Sequence, residues 1–133
     1  MRVQFGTHYL LTLMPHERSR VRAFYVDVLG CRIEAHDHHV TANIPENIDL
    51  FHFPDGEVLG VQYVPERDAF LTSADYRRAC WLELRTDDVE GLVKKLKTFG
   101  IEEITDFWDR EHFYFHAPGG QVFRVIENTK GAQ

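Results

Sequence analysis

Apolar residues recur along this chain with two different periods, and the switches between them mark its elements. Thr7 to Leu13 (T-H-Y-L-L-T-L) is rich in β-formers and predicts a strand, which Pro15 closes. From Glu17 to Leu29 the period changes: Val21, Phe24, Tyr25, Val28 and Leu29 recur three and four apart, the spacing of one helical face. Gly30 follows, where a helix stop favours a residue free to turn left-handed. Strand patterns return at Cys31–Ala35, about His39–Ile44, Ile48–Phe53 and Val58–Val64, with Pro54-Asp55-Gly56 as a hairpin turn.

The second half repeats this order. Ala79–Arg85 predicts a strand, and Asp87 and Asp88 offer capping carboxylates to a helix over Val89–Phe99. Leu92, Val93, Leu96 and Phe99 form its apolar face, and Gly100 ends it. Strand patterns follow at Glu102–Thr105, His112–His116 and Gln121–Glu127, the last two joined by Pro118-Gly119-Gly120. Phe51 to Val58 and Phe113 to Val122 share an aromatic-x-aromatic strand, a Pro/Gly turn and a following Val. Such a repeat is an architectural signal. It predicts an α+β chain of two βαβββ modules in one domain over 1–133: module 1 at about 7–65, a linker at about 66–78, and module 2 at about 79–128. One module alone would leave a sheet face uncovered, so two modules sharing a core is the expected arrangement.

Composition narrows the function classes. A length of 133 residues with 44% hydrophobic and 27% charged content suits one globular domain. The formal net charge of −6, without a basic run, argues against nucleic-acid binding. No apolar stretch approaches a membrane span, and the N-terminal residues lack a secretory apolar core. Cys31 and Cys80 lie in apolar surroundings without metal-type spacing and are expected to be buried, reduced thiols of a cytoplasmic protein. Phosphate-cradling, dinucleotide and nucleophile-elbow motifs do not occur.

Four segments together carry a family likeness: the early His8 on the first strand, Arg22-Ala23-Phe24-Tyr25-Val26-Asp27-Val28-Leu29-Gly30-Cys31, Leu84-Arg85-Thr86-Asp87-Asp88-Val89 with Leu96 and Gly100, and the closing Tyr114 to Val122 hairpin. In this order they resemble the vicinal-oxygen-chelate superfamily of glyoxalase I, the fosfomycin- and bleomycin-resistance proteins and the extradiol dioxygenases. The likeness runs from about residue 7 to 127, with Ala117 and Gly119 where the family's hairpin usually has aspartates. It implies curled mixed sheets enclosing a cavity, often in a homodimer. It also implies a metal site with one ligand from the first and one from the last strand of each module. Those positions here are His8, Gly60, Trp81 and Arg124. Only His8 can bind a metal, since Trp offers no lone pair, glycine no side chain, and arginine is a permanent cation. A Zn, Ni, Mn or Fe site normally needs at least three protein ligands. No cofactor is therefore expected.

Strand alternation extends the set facing the cavity. His8 brings Leu10 and Thr12; Trp81 brings Glu83 and Arg85; Gly60 brings Gln62; Arg124 brings Val122 and Ile126; the last hairpin brings His112, Tyr114 and His116. Tyr114 matches the tyrosine that contacts the substrate's anionic group in fosfomycin-resistance relatives. Trp81, Tyr114, Gln62, Arg124 and Glu83 are the expected ligand contacts, with Glu83 and Arg124 also readable as a mutually neutralising ion pair. His36-Asp37-His38-His39 is expected to be a solvated turn, and the Phe24, Phe51, Phe53, Phe99, Phe113, Phe115 and Phe123 set to be core.

Two functions remain. One is a metal-independent small-molecule binding protein of the bleomycin-resistance type. The other is a divergent lyase, isomerase or dioxygenase-like enzyme using His8, His112 or Glu83 as base or irregular metal ligand.

Overall fold

Alternating apolar residues need a sheet face to bury, and each half of the chain builds its own sheet under its own helix. The computed structural model describes residues 1–4, 6–38, 46–63 and 80–128. The chain falls into two compact units, 1–69 and 70–133.

In the first unit β1 (His8–Leu13) leads through a 3-10 turn (Pro15–Glu17) into α1 (Arg18–Arg22), which continues as π-helix over Ala23–Val28. β2 (Arg32–His38), β3 (Glu46–His52) and β4 (Val58–Tyr63) complete a four-stranded sheet in the order β1-β4-β3-β2, with β1 parallel to β4 and the other pairs antiparallel. The expected helix is present, with its winding changed along its length. The Leu29 amide reaches back to the Phe24 carbonyl at 3.1 Å, five residues earlier. Val21, Phe24, Tyr25 and Val28 still bury their face.

That face defines the two sides of the sheet. Tyr25 stacks on Phe51 with ring centroids 4.9 Å apart, and Arg18 and Arg22 bond Asp49, so odd-numbered residues of β3 face the helix. Register carries the same side onto Leu59, Val61 and Tyr63 of β4 and Leu11 and Leu13 of β1. The opposite side holds His8, Leu10, Thr12, Gly60, Gln62, Leu50 and His52, as alternation predicts. A Cβ on Gly60 would meet Leu10 at 3.1 Å and Leu50 at 3.2 Å, so glycine allows these leucines to close over the strand.

The second unit repeats the plan with β5 (Leu82–Thr86), α2 (Val89–Phe99), β6 (Phe113–His116) and β7 (Val122–Glu127). Its sheet order is β5-β7-β6, with β5 parallel and β6 antiparallel to β7. Leu84, Val125 and Phe113 form one rung of the helix side, with Leu82, Phe123 and Phe115 beside them. Asp88 caps α2 by accepting the Gly91 amide at 2.9 Å. Gly100 ends it at φ 100°, in the left-handed region. Gly100→Ala is expected to lower the unit's stability by about 1–2 kcal/mol, because a Cβ strains that conformation; urea unfolding measures it.

The two turns confirm the repeat at atomic level. Phe53 N–H donates to the Glu57 carbonyl at 2.9 Å, and Ala117 N–H donates to the Gln121 carbonyl at 2.8 Å. The turn register thus matches His52 with His116 and Leu50 with Tyr114. The two aromatic-x-aromatic strands are offset by two residues.

Several expectations change. Glu102–Thr105 forms a single bridge, Glu103 to Phe115, in place of a full strand. The Ile104 amide bonds the Tyr114 carbonyl, and the chain then leaves the sheet edge to bring Phe107 against Tyr114. Cys80 is exposed, while Cys31 is buried as expected. β2 runs on to His38, so His36 lies in a strand and not in a turn. Phe53 and Phe99 are half-buried, and the other five phenylalanines of the set are buried. The expected strand at His39–Ile44 and the linker at about 66–78 lie outside the described residues. Among the described residues no helix is long and apolar enough to cross a membrane.

Candidate functional site

The side of the second sheet turned away from α2 is where polar chemistry concentrates. Register places Glu83, Arg124 and Tyr114 on three neighbouring strands as one rung. Arg124 Nε donates to Glu83 Oε2 at 3.1 Å, and its Nη2 bonds the same oxygen. Its Nη1 lies 3.4 Å from the Tyr114 hydroxyl and 3.6 Å from Asp109 Oδ2. Trp81, just before β5, covers the rung: the Arg124 guanidinium lies 4.6 Å from its ring centroid, and Tyr114 meets it edge-on at 6.1 Å. Trp81 is 40% exposed, whereas Tyr114 is buried. The indole is therefore a wall with an open side.

Asp109 ties this cluster together, and sequence reasoning missed it. Its Oδ2 accepts from the Tyr114 hydroxyl at 2.9 Å and from His112 Nδ1 at 2.8 Å, while Oδ1 accepts the Glu111 amide at 2.9 Å. The Glu111 amide, opposed by burial and reinforced by His112 and Tyr114, holds the Asp109 carboxyl at about 2, below the usual carboxylate range. Burial lifts the Tyr114 phenol above its ordinary range, so it is a neutral donor. A signal existed: a buried phenol requires a hydrogen-bond partner, and Asp109 and Glu111 are the two carboxylates just before the strand. The loop also delivers Phe107, 4.7 Å from Tyr114, and Ile104, Tyr114 and Val122 form a small apolar cluster beneath.

Of the expected site residues, Trp81, Glu83, Tyr114 and Arg124 come together directly, and His112 joins through Asp109. His116 is turned to its own hairpin, with Nδ1 3.0 Å from the Gly120 carbonyl. His8 and Gln62 belong to the first unit. His8 Nδ1 lies 3.2 Å from the Thr7 hydroxyl, and Gln62 stands between Thr12 and Ile48 on the same sheet side. That side also holds a cluster that sequence reasoning did not assemble. The Glu34 carboxylate accepts from His52 Nε2 at 2.9 Å and from His36 Nε2, and these bonds hold its carboxyl below the ordinary range. Period two already paired Glu34 with His36; the antiparallel register adds His52.

Of the residues at the superfamily's metal positions, His8 alone offers a ligand atom. Leu10 and Leu50 crowd Gly60, and Arg124 already carries a positive charge satisfied by Glu83. Among the described residues no group of three or more His, Cys, Asp or Glu side chains is arranged to hold a metal ion.

Solved structures share this fold. Glyoxalase I of Leishmania major, described as trypanothione-dependent, matches with a TM-score of 0.73 at 12% identity, covering 98% of this chain and 91% of that one. The fosfomycin resistance protein FosX of Listeria monocytogenes matches at 0.64 and 11%, covering 96% and 94%. TnmS3, an antibiotic binding protein from Streptomyces sp. CB03234, matches at 0.56 and 16%, covering 97% and 99%. Paired βαβββ units of this type define the vicinal-oxygen-chelate class. The chain belongs to the glyoxalase-like domain family, whose model matches residues 11–126. A comparison with curated proteins finds no match.

Proposed function

We propose that the protein binds a small, flat aromatic molecule on the Trp81 face of its second unit, and does so without the metal its superfamily usually employs. The observation that carries this reading is the half-open Trp81 set against a rung whose polar atoms are already fixed by one another. Such a surface offers an aromatic contact and oriented hydrogen-bonding groups without needing to reorganise. Two carboxylates, Glu83 and Asp109, surround one guanidinium, so the face disfavours anions. The net charge of −6 acts in the same direction. The antibiotic-binding description of one structural neighbour accords with a binding role, and a homodimeric, cytoplasmic protein is part of the same reading.

Calorimetric titration with naphthylmethylammonium, naphthylmethanol and naphthoate tests the charge preference. The cation and the neutral compound are expected to bind, with naphthoate at least about tenfold weaker, a difference of about 1.4 kcal/mol. Tightest binding by the anion would overturn this reading of the face.

A further inference from the structure

The Asp109–His112 pair has a chemical consequence that ligand binding does not require. Asp109 is a pure acceptor, so the 2.8 Å contact with His112 Nδ1 fixes the proton on that nitrogen. The neutral ring then carries its lone pair on Nε2, to which none of the described residues bonds. The carboxylate is itself immobilised: its side chain is 8% exposed, the Glu111 amide takes one oxygen, and the Tyr114 hydroxyl shares the other. The imidazole is 39% exposed, so the free edge is open to a ligand. Arg124 Nη1 lies 3.6 Å from the same Asp109 oxygen that holds His112. An oriented imidazole with a carboxylate behind it is the arrangement of a general base.

We propose that His112 Nε2 is a general base that removes an acidified proton from a neutral or cationic aromatic carbon acid seated against Trp81. Asp109 is the positioning residue that sets the ring's tautomer. This proposal rests on the Trp81 binding reading and adds a reaction to it.

Nitrobenzisoxazole is a suitable neutral probe. When a base takes its ring C–H proton, the C–H electron pair completes a nitrile, the N–O bond breaks, and a coloured nitrophenolate leaves. The proton passes from Nε2 to water, and no co-reactant is consumed. Binding is read separately by quenching of Trp81 in a Trp108→Phe background, since the chain has two tryptophans. The full chain is expected to quench and to turn over, and His112→Gln to lose at least about tenfold in kcat. Asp109→Asn is expected to lower kcat by a similar factor with KM within about twofold, and to shift the His112 ring nitrogen signals away from the Nδ1-protonated form. His16→Gln, an exposed histidine outside the cluster, should leave turnover unchanged. Quenching with equal turnover in the native chain and His112→Gln would overturn the base assignment and leave the binding reading standing. Neither quenching nor turnover would overturn both.

Discussion

Asp49→Ala is expected to be the most damaging single substitution in the first unit, lowering its stability by about 3 kcal/mol in urea unfolding. Asp49 is fully buried on the helix side of the sheet and accepts four bonds: from Arg18 at 3.3 and 2.9 Å and from Arg22 at 2.8 and 2.8 Å. Arg18 also lies over the Tyr63 ring, 5.0 Å from its centroid. Removing the carboxylate leaves two guanidinium groups facing a cavity between helix and sheet. Their side chains are 20% and 38% exposed, so partial rehydration limits the loss. Asp49→Asn keeps the shape and part of the bonding, and should cost about half as much.

The same residue sets an acid limit. Burial alone would raise the Asp49 carboxyl, but the bonds from Arg22 and Arg18 outweigh it and hold the group at about 2. The folded value lies below the unfolded value of about 3.9, so the unfolded state takes up its proton first. The stabilisation, about 2 kcal/mol, is therefore fully present above about pH 4 and is lost as pH falls toward 2. Asp109 shifts in the same direction and adds to the loss over that window. Unfolding followed between pH 5 and pH 2 should steepen in the native chain and flatten in Asp49→Asn.

The second large effect concerns binding. Trp81→Ala is expected to weaken naphthylmethylammonium by about 1–2 kcal/mol, roughly five- to thirtyfold in Kd. Its effect on stability should be smaller, because Trp81 is 40% exposed and precedes β5 instead of lying within it. Loss of affinity without loss of fold separates a ligand wall from a core residue. An unchanged affinity would place the ligand elsewhere.

The elements were legible because each rests on local chemistry. Gly30 and Gly100 stop their helices at positive φ, and both Pro/Gly turns close the expected hairpins. Alternation alone placed Glu83, Tyr114 and Arg124 on one sheet side, since period two needs no tertiary information. What it could not supply was the contribution of an irregular segment. Asp109 lies in a loop with no periodicity, and its role follows from where the chain goes after the bridge at Glu103. The π-helical turn at Ala23–Val28 was likewise hidden, because a slightly wider winding preserves the same buried positions. His36 was misplaced for a different reason. A histidine-rich run reads as polar, yet its alternate residues sit on a strand face where Glu34 gives two imidazoles a common partner.

Binding at the Trp81 face without a metal is open to a single titration. Protein treated with a chelator is titrated with naphthylmethylammonium, then again after addition of zinc, nickel, manganese or ferrous ion. Binding is expected in the stripped protein, with an affinity that changes by less than about twofold when the ion is added and falls in Trp81→Ala. Binding that appears only after a divalent ion is restored, and disappears in His8→Ala, would contradict it.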